Sequence, residues 1–309
     1  MATKLSVYSL SLLPSPFVDS SSLSLPRFPS PIVPSLPLHF ATRCTFRARF
    51  PLTTSRISRR SLTPSLAVMF PDNPVLSDVC ASGITTVIAF ACLRFWGEFG
   101  KRGIFDQKLV RKLVHVSVGP VFMLCWPLFS SGLRGAVLAS LVPGGNIIRT
   151  LLLGLGVYHD EGTIKSMSRY GDRRELLKGP LYYALAITLS CAFYWRTSPI
   201  AIAVICNLCA GDGMADIVGR RLGTEKLPYN RNKSVAGSIA MAAAGFLASV
   251  GYMYYFASFG YIEDSGGMIL RFLIVSTVAA LVESIPISSE IDDNLTVPLT
   301  SALVGTLVF

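Results

Sequence analysis

The chain has 309 residues, of which 51% are hydrophobic and 15% charged, and its mean hydropathy is +0.52. This composition is typical of a polytopic membrane protein and excludes an ordinary soluble enzyme. The formal net charge of +10 does not indicate a nucleic-acid partner: the first 71 residues carry eight basic residues and one acid, so the rest of the chain has a net charge of about +3.

The N-terminal segment differs in composition from everything that follows. Residues 1–71 contain fourteen serines and eight Lys or Arg residues, and Asp19 is their single acid. A Ser-rich, Arg-bearing and acid-poor segment is typical of an organelle transit peptide, and the high serine content favours the chloroplast. We therefore predict a cleaved, disordered transit peptide over 1–65 and a membrane domain over 70–309. A basic tail retained in the mature protein is the alternative.

Apolar windows recur along the membrane domain, and each approaches the roughly 20 residues needed to cross a bilayer. They predict an all-α protein with seven or eight transmembrane helices, since the last window is short. The run Pro143-Gly144-Gly145-Asn146 is expected to break the third helix. The windows cover about 75–93, 113–129, 135–158, 179–195, 199–219, 235–256, 268–287 and 295–309.

Most of the remaining basic residues lie in three segments, 94–112, 159–178 and 219–234, which we call the basic segments. They alternate with short connections between the windows, so all three are expected on one side of the membrane. The positive-inside rule assigns that side to the stroma or cytosol. The acidic stretch 288–294 is expected on the same side.

The most informative motif reads GDGMADIVGRRLG and begins at Gly211, at the end of an apolar window. An Asp near the middle of a bilayer costs roughly 2.5–3.5 kcal/mol, so Asp212 and Asp216 must face protein, water or a metal. At helical spacing they share a face with Arg220. This pattern predicts a membrane-embedded active site. The alternative is a packing seam of small residues with an internal Asp–Arg pair.

Four polar clusters are expected at the charged side of the membrane. Their acids are suited to a hard cation such as Mg²⁺, and their bases are suited to a polyphosphate. Phosphoryl transfer needs this combination, because its transition state is stabilised mainly by positioning and charge. The clusters are Lys108, Arg111, Lys112 and His115; Arg169, Arg173 and Glu175; the motif from Asp212 to a polar hairpin at Thr224–Ser234; and Glu283 with Asp292, Asp293 and Asn294.

The segments GDGMADIVGRRLG, KSVAGS, RKLVHV and DDNLTVPL resemble the polyprenol kinase family, which includes dolichol kinase and the plastid phytol kinases. The resemblance extends from about Met69 to Phe309. It implies a CTP-dependent kinase that converts a prenyl alcohol such as farnesol, geraniol, geranylgeraniol or phytol to its monophosphate. It also implies Mg²⁺, a nucleoside triphosphate and a lipid bilayer as partners, and a location in a chloroplast membrane, with the envelope favoured.

The resemblance also implies roles for individual residues. Asp212 and Asp216 would hold Mg²⁺ or accept the alcohol proton, and Asp292, Asp293 and Asn294 would hold a second metal or the cytosine and ribose. Which acid accepts the proton stays open. The residues expected to contact the nucleotide are Arg111, Lys112, Gly219, Arg220, Arg221, Gly223, Lys233, Ser234 and Gly237.

Other features of the sequence are less informative about function. Cys206 and Cys209 form a CxxC pair inside an apolar window, where buried thiols are expected rather than a zinc or redox site. Among the histidines, His115 is the best candidate for a role in the site. Two other activities remain open: a CTP-using lipid cytidylyltransferase, although its C-terminal signature is absent from this sequence, and a transporter with an ion site at the membrane midplane.

The predicted sidedness can be tested with single cysteines introduced at Thr163, Thr224 and Ser289 in a background without native cysteines. All three are expected to react together with a membrane-impermeant thiol reagent applied from the stromal or cytosolic side, because charge asymmetry places their loops on that face. A position that reacts from the opposite side alone would divide the predicted site across the membrane.

Overall fold

A computed structural model describes residues 73–168, 170–286 and 291–309. The predicted transit peptide, 1–65, lies outside these residues, as does Arg169. Within them the protein is helical apart from one short hairpin, so the all-α prediction is confirmed. The helices are α1 (Pro74–Lys101), α2 (Gln107–Leu124), α3 (Leu133–Leu155), α4 (Glu161–Met167), α5 (Gly179–Tyr194), α6 (Pro199–Cys206), α7 (Asp212–Leu222), α8 (Val235–Ser258), α9 (Gly266–Ser284) and α10 (Asp293–Val308).

Seven helical segments of the described chain are long and apolar enough to cross a membrane. This agrees with the predicted seven or eight spans, and α10, with 16 residues, falls short of the usual span length. The seven segments are Pro74–Lys101, Gln107–Leu128, Leu133–Leu155, Arg173–Tyr194, Pro199–Leu222, Val235–Ser258 and Gly266–Ser284.

Side-chain caps and prolines account for many of the helix starts. The Asp106 carboxylate accepts a hydrogen bond from the Leu109 N–H at the start of α2, and the Ser234 hydroxyl accepts one from the Gly237 N–H at the start of α8. Ser198 caps α6, which has Pro199 in its first turn. These contacts satisfy backbone N–H groups that have no partner inside the helix.

The expected break in the third helix is wrong, because α3 runs without interruption from Leu133 to Leu155 through Pro143. A proline removes one backbone N–H from the helix ladder, whereas unwinding several residues in a membrane would expose several polar backbone groups. The continuous helix therefore costs less, and α3 packs along α5.

The fifth span is composite and lies at the centre of the bundle. It comprises α6, one π-helical turn over Asn207–Gly211, and α7. α8, α9 and α10 all pack against it. A π-helical turn widens the helix by one residue and commonly occurs at functional sites. In this chain it ends immediately before Asp212, which it directs toward α2.

The two ends of the bundle have different chemistry. At one end the basic segments meet: the Gln107 amide donates to the Lys165 carbonyl at 2.8 Å and links the first segment to the second. The predicted hairpin forms there as β1 (Lys226–Leu227) and β2 (Asn230–Ser234), which pair antiparallel. We call this the charged end. It gathers loops that are far apart in sequence.

The opposite end is aromatic. Trp126 and Phe129 are fully buried there and pack against Trp195, and Trp126 also stacks on Phe256 with ring centroids 5.7 Å apart. The cysteines expected to be buried thiols, Cys206 and Cys209, belong to the same core and are free. The core therefore fills the bundle from the aromatic end to the level of the π-helical turn.

Arg196 is buried at the aromatic end. Its guanidinium donates hydrogen bonds to the carbonyls of Trp126 at 3.0 Å and Phe129 at 2.7 Å, and it lies 4.0 Å from the centroid of the Tyr261 ring. These contacts fix the turn between α2 and α3 to the loop that follows α8.

We expect Arg196→Ala to lower the thermal midpoint of the purified protein in detergent more than Arg271→Ala, since Arg271 is exposed and its hydrogen bond to the Phe309 carbonyl is long, at 3.4 Å. The truncation leaves the buried Phe129 carbonyl without the guanidinium donor, at about 1–3 kcal/mol, and it leaves the Trp126 carbonyl with the Phe129 N–H as its donor. Fluorescence-monitored melting checks this. Equal midpoints for the two variants would show that the Phe129 carbonyl finds another donor.

Candidate active site

A cavity of about 1450 Å³ lies at the charged end of the bundle. Its walls come from α1, α2, α3, α5, α7, α8, the hairpin and the start of α10. Most of the residues that the sequence analysis selected line it: Arg111, Lys112, His115, Asp212, Asp216, Gly219, Arg220, Gly223, Lys233, Ser234, Gly237, Glu283, Asp292, Asp293 and Asn294. The structure therefore gathers residues from four separate stretches of the chain around one space.

Asp212 is the buried acid at the centre of the site, with 4% of its surface exposed. Its carboxylate accepts from the Lys112 ammonium at 3.0 Å, and the same oxygen lies 3.1 Å from His115 Nε2. Lys112 is itself buried, so the two charges compensate each other away from water. Removing either partner would leave an uncompensated buried charge, which is strongly destabilising.

His115 is held in one orientation by its neighbours. Its Nε2 lies 2.8 Å from the Leu208 carbonyl as well as close to Asp212, and both of these partners are acceptors. Nε2 therefore carries the proton. Tyr183 fixes the backbone of α2 next to His115. Its hydroxyl donates to the His115 carbonyl at 2.8 Å and accepts from the Gly119 N–H at 3.1 Å. The π-helical turn supplies the Leu208 carbonyl.

Lys233 forms the second ionic contact of the site. Its ammonium bonds to Glu283, at the end of α9, and to Asp293, at the start of α10, the latter at 2.9 Å. Burial disfavours the charged ammonium, but the Asp293 and Glu283 carboxylates outweigh this effect and raise the pKa of Lys233 above its ordinary value. Lys233 is therefore cationic at neutral pH.

The hairpin that carries Lys233 is fixed to the end of α9. The Asn230 amide donates to the Ser284 carbonyl at 3.0 Å, and the Tyr229 and Ser284 hydroxyls lie 2.9 Å apart. These contacts place β2 beside Glu283. The polar hairpin is thus a rigid part of the site, held by specific hydrogen bonds.

Three carboxyl groups converge between these two ionic contacts, and we call them the carboxyl group set. Asp212, Glu283 and Asp293 each offer one oxygen, and these oxygens lie within 4.8 Å of one another. Burial and the nearby Asp212 carboxyl raise the pKa of Asp293, although Lys233 opposes the shift. Asp293 Oδ1 is buried and has no hydrogen-bond partner among the described residues.

This carboxyl group set fits a divalent cation. Its donors are hard oxygen atoms, one acceptor atom is orphaned, and the negative charge of three acids exceeds what Lys112 and Lys233 supply. Mg²⁺ prefers such oxygen donors and usually takes only one or two carboxylates, completing its shell with water and phosphate oxygens. The sequence analysis paired Asp212 with Asp216 as metal ligands, whereas the structure groups Asp212 with Glu283 and Asp293.

Asp216 has a different environment. Its carboxylate accepts from Arg220 at 2.9 Å, one helical turn further along α7, and the Arg220 side chain is 46% exposed. Both residues line the cavity. Asp212 lies one helical turn deeper in the bundle than Asp216. It therefore pairs with α2, and not with Arg220 on the helix face predicted for all three residues.

The glycines of the motif pack helix against helix. A side chain at Gly237 would come within 3.0 Å of the Ala215 carbonyl and 3.3 Å of the Gly219 Cα atom. α7 and α8 therefore cross in close contact at this point. The Ser234 hydroxyl, expected to contact phosphate, lies in the same crossing and caps α8. The small-residue seam that stood as an alternative is present, and it forms part of the cavity wall.

The acidic turn before α10 is ordered by its own side chains. The Asp292 carboxylate accepts from the Asn294 backbone N–H at 2.9 Å and from its amide at 2.6 Å. A side chain at Gly179 would lie 3.3 Å from the Asp292 carboxylate, so the start of α5 packs closely on this turn. This packing holds Asp293 close to Asp212 and Glu283.

Three of the predicted residues lie away from the cavity. Arg221 is exposed at the end of α7, Glu175 lies in a short 3-10 turn before α5, and the Arg173 guanidinium packs on the backbone at Gly156. None of the three lines the cavity within the described part of the chain.

Several residues of the cavity wall were not predicted from the sequence. Asn146 and Arg149 on α3 line it, as do Lys178, Tyr183 and Asn230. The first two had a signal, since each is polar and lies within an apolar window. Asn230 had none, because its position depends on the docking of the hairpin onto α9.

The chain is similar to known proteins over most of its length. The chain is 72% identical to farnesol kinase, chloroplastic, of Arabidopsis thaliana over 99% of this chain and 98% of that protein. It is 64% identical to probable phytol kinase 3, chloroplastic, of Glycine max, over 78% of this chain and 76% of the relative. It is 42% identical to phytol kinase 1, chloroplastic, of Arabidopsis thaliana, over 82% of both chains.

No protein-family model matches the chain, and no solved structure gives a significant match. The three relatives named above match 78–99% of the chain at 42–72% identity, and their names describe chloroplastic farnesol and phytol kinases. The chain therefore belongs to the family of chloroplastic farnesol and phytol kinases, and it is a membrane phosphotransferase that acts on an alcohol.

Proposed function

We propose that this protein transfers the γ-phosphoryl group of CTP to farnesol or a closely related prenyl alcohol. The observation that carries the proposal is one cavity that combines buried carboxylates, two ion-paired lysines and apolar walls within a membrane bundle. A polyphosphate, a cation and a lipid alcohol can meet in such a space. The identity with farnesol kinase supports farnesol as the first substrate to test.

The lysines are suited to receive the nucleotide phosphates. The Lys112 ammonium lies at the cavity wall beside one carboxylate, and the Lys233 ammonium lies there between two. Arg220 is half exposed at the same wall and can move from Asp216 to a phosphate oxygen. Positive charge that is already in place stabilises the negative charge of the phosphoryl oxygens in the transition state. The site then needs no rearrangement during the reaction.

We propose that Asp212, Glu283 and Asp293 hold Mg²⁺. When bound, the cation would neutralise phosphate oxygens at the reacting group. Lys112 and His115 orient the Asp212 carboxylate, and the turn closed by Asp292 and Asn294 positions Asp293. Sequence-derived ligation by Asp216 stays a prediction.

The alcohol reaches the site from the membrane. A prenyl alcohol partitions into lipid, whereas the charged nucleotide arrives from water at the charged end of the bundle. We place the reaction in salvage of isoprenoid alcohols in a chloroplast membrane, with the envelope favoured. The chloroplast assignment is supported by the names of the relatives.

The direct test uses the full-length protein purified in detergent, with farnesol, Mg²⁺ and γ-labelled CTP. Label in farnesyl monophosphate is the expected result. Release of pyrophosphate with a CDP-lipid product would instead indicate a cytidylyltransferase, and no product of either kind would favour a transporter. Parallel reactions with ATP, GTP and UTP measure the nucleotide preference.

Phytol is the second candidate substrate. The chain is 64% identical to a probable phytol kinase and 42% identical to phytol kinase 1, so both alcohols occur among its relatives. Competition between farnesol and phytol in the same reaction gives the ratio of kcat/KM values, which expresses the preference of the enzyme. A ratio in favour of phytol would assign the protein to tocopherol synthesis.

We expect Asp212→Asn to abolish turnover, because Asp212 is the buried member of the carboxyl group set and the partner of Lys112. Asp216→Asn is the matched control and should lose less activity, since Asp216 pairs with an exposed arginine. Initial rates across a Mg²⁺ titration check this, with monodispersity in detergent as the measure of folding. Wild-type rates for a well-folded Asp212→Asn protein would remove this site from the mechanism.

Lys233→Ala is expected to raise the apparent KM for CTP by on the order of tenfold and to change the KM for farnesol little. The substitution removes a cation that lies between two carboxylates at the phosphate side of the cavity. Lys226→Ala provides the control, because Lys226 also lines the cavity but is exposed. An equal rise in both KM values would indicate a general folding defect.

A further inference from the structure

The cavity continues past the carboxyl group set into an arm with apolar walls, which the phosphate chemistry does not use. The arm lies between α1, α2, α3 and α5. Its side chains include Ala89, Leu93, Val118, Phe122, Leu141 and Ile187. A charged nucleotide would gain nothing from such walls, whereas a hydrocarbon chain is stabilised by them.

Along α2 the lining of the cavity extends from the level of His115 to Phe122, which is buried and lies seven residues further along the helix. At 1.5 Å per residue the depth between these two levels is about 10 Å. An extended farnesyl chain is longer than this, so a chain with its hydroxyl near His115 must leave the arm sideways.

α1 and α3 touch at two levels along the arm. Toward the aromatic end, the Ser82 hydroxyl donates to the Leu138 carbonyl at 3.1 Å. Toward the charged end, the Arg149 guanidinium lies 5.5 Å from the centroid of the Phe90 ring. The space between these contacts is a candidate window from the cavity to the bilayer.

Gly145 lies at the rim of this window. It lines the cavity, and it also falls on the outward stripe of α3 between Leu141 and Ile148, which are 59% and 62% exposed. On α1, Thr86 is also exposed and also lines the cavity. Gly145 and Thr86 therefore belong both to the cavity lining and to the outer surface of the bundle.

Packing and backbone geometry do not require a glycine at this position. A Cβ atom built on Gly145 meets nothing within 4 Å, and the residue is not among those with positive φ. A glycine inside a helix nevertheless costs about 0.5–1 kcal/mol relative to alanine. Its effect is to keep the space open.

We propose that the prenyl chain of the alcohol enters through the window between α1 and α3, lies along the apolar arm, and is selected for size at Gly145. This inference rests on the proposed function and deepens it, because it assigns the hydrocarbon half of the substrate to a place and a residue.

Gly145→Leu tests the proposal, with Gly251→Leu as the matched control. Gly251 is an exposed glycine inside α8, has equally open space around its Cβ position and does not line the cavity. We expect Gly145→Leu to raise the KM for geranylgeraniol on the order of tenfold, that for geraniol less, and that for the nucleotide not at all. Gly251→Leu should match the wild type with every alcohol.

The outcomes separate this inference from the proposed function. Wild-type protein that phosphorylates no prenyl alcohol would overturn the proposed function and, with it, the inference. Active wild-type protein with Gly145→Leu indistinguishable from Gly251→Leu across all three alcohols would overturn the inference alone.

A measurement without turnover guards against a misfolded leucine variant. In Gly145→Cys protein, alkylation at position 145, mapped by mass spectrometry, should slow when farnesol is added and stay unchanged when CTP is added. Equal alkylation rates with and without farnesol would contradict a prenyl chain at this window.

Discussion

The buried charge of Asp212 is the constraint on which the rest of the site depends. A carboxylate inside an apolar bundle is stable only with a compensating cation and hydrogen-bond donors close by. Lys112 and His115 provide them from α2, and the π-helical turn before α7 directs the carboxylate toward them. Helix α2 is thereby fixed to the central span at the level where the cavity begins.

A second ionic contact, at the charged end of the bundle, also compensates buried acids with a lysine. Lys233 lies on the hairpin and joins the end of α9 to the start of α10 through Glu283 and Asp293. The two lysines do not balance all the acids between them, and Asp293 keeps an orphaned oxygen. The acids suit a cation, and the basic residues that also line the cavity suit a polyphosphate.

In the proposed function, the cavity receives two substrates of opposite character. Its charged end collects the water-facing loops, and its apolar arm lies between spans that face the bilayer. The tight crossing of α7 and α8 at Gly219 and Gly237 keeps the nucleotide side compact, whereas open space at Gly145 leaves the lipid side wide. Glycine has opposite effects in these two places because packing atoms are present at one and absent at the other.

The sequence by itself determined the membrane class, the spans, the charged end and many of the charged residues around the cavity, because hydropathy and charge act locally and can be counted along the chain. It also singled out Asp212 and Lys233. Only the tertiary structure decided their partners. Asp212 could be paired with Asp216 from helical spacing, yet its oxygen meets Lys112, a hundred residues away, and groups with Glu283 and Asp293. The uninterrupted α3 and the π-helical turn likewise depend on neighbouring helices. The free-energy cost of an unpaired backbone group is set by the packed bundle and the membrane around it, and not by the local sequence.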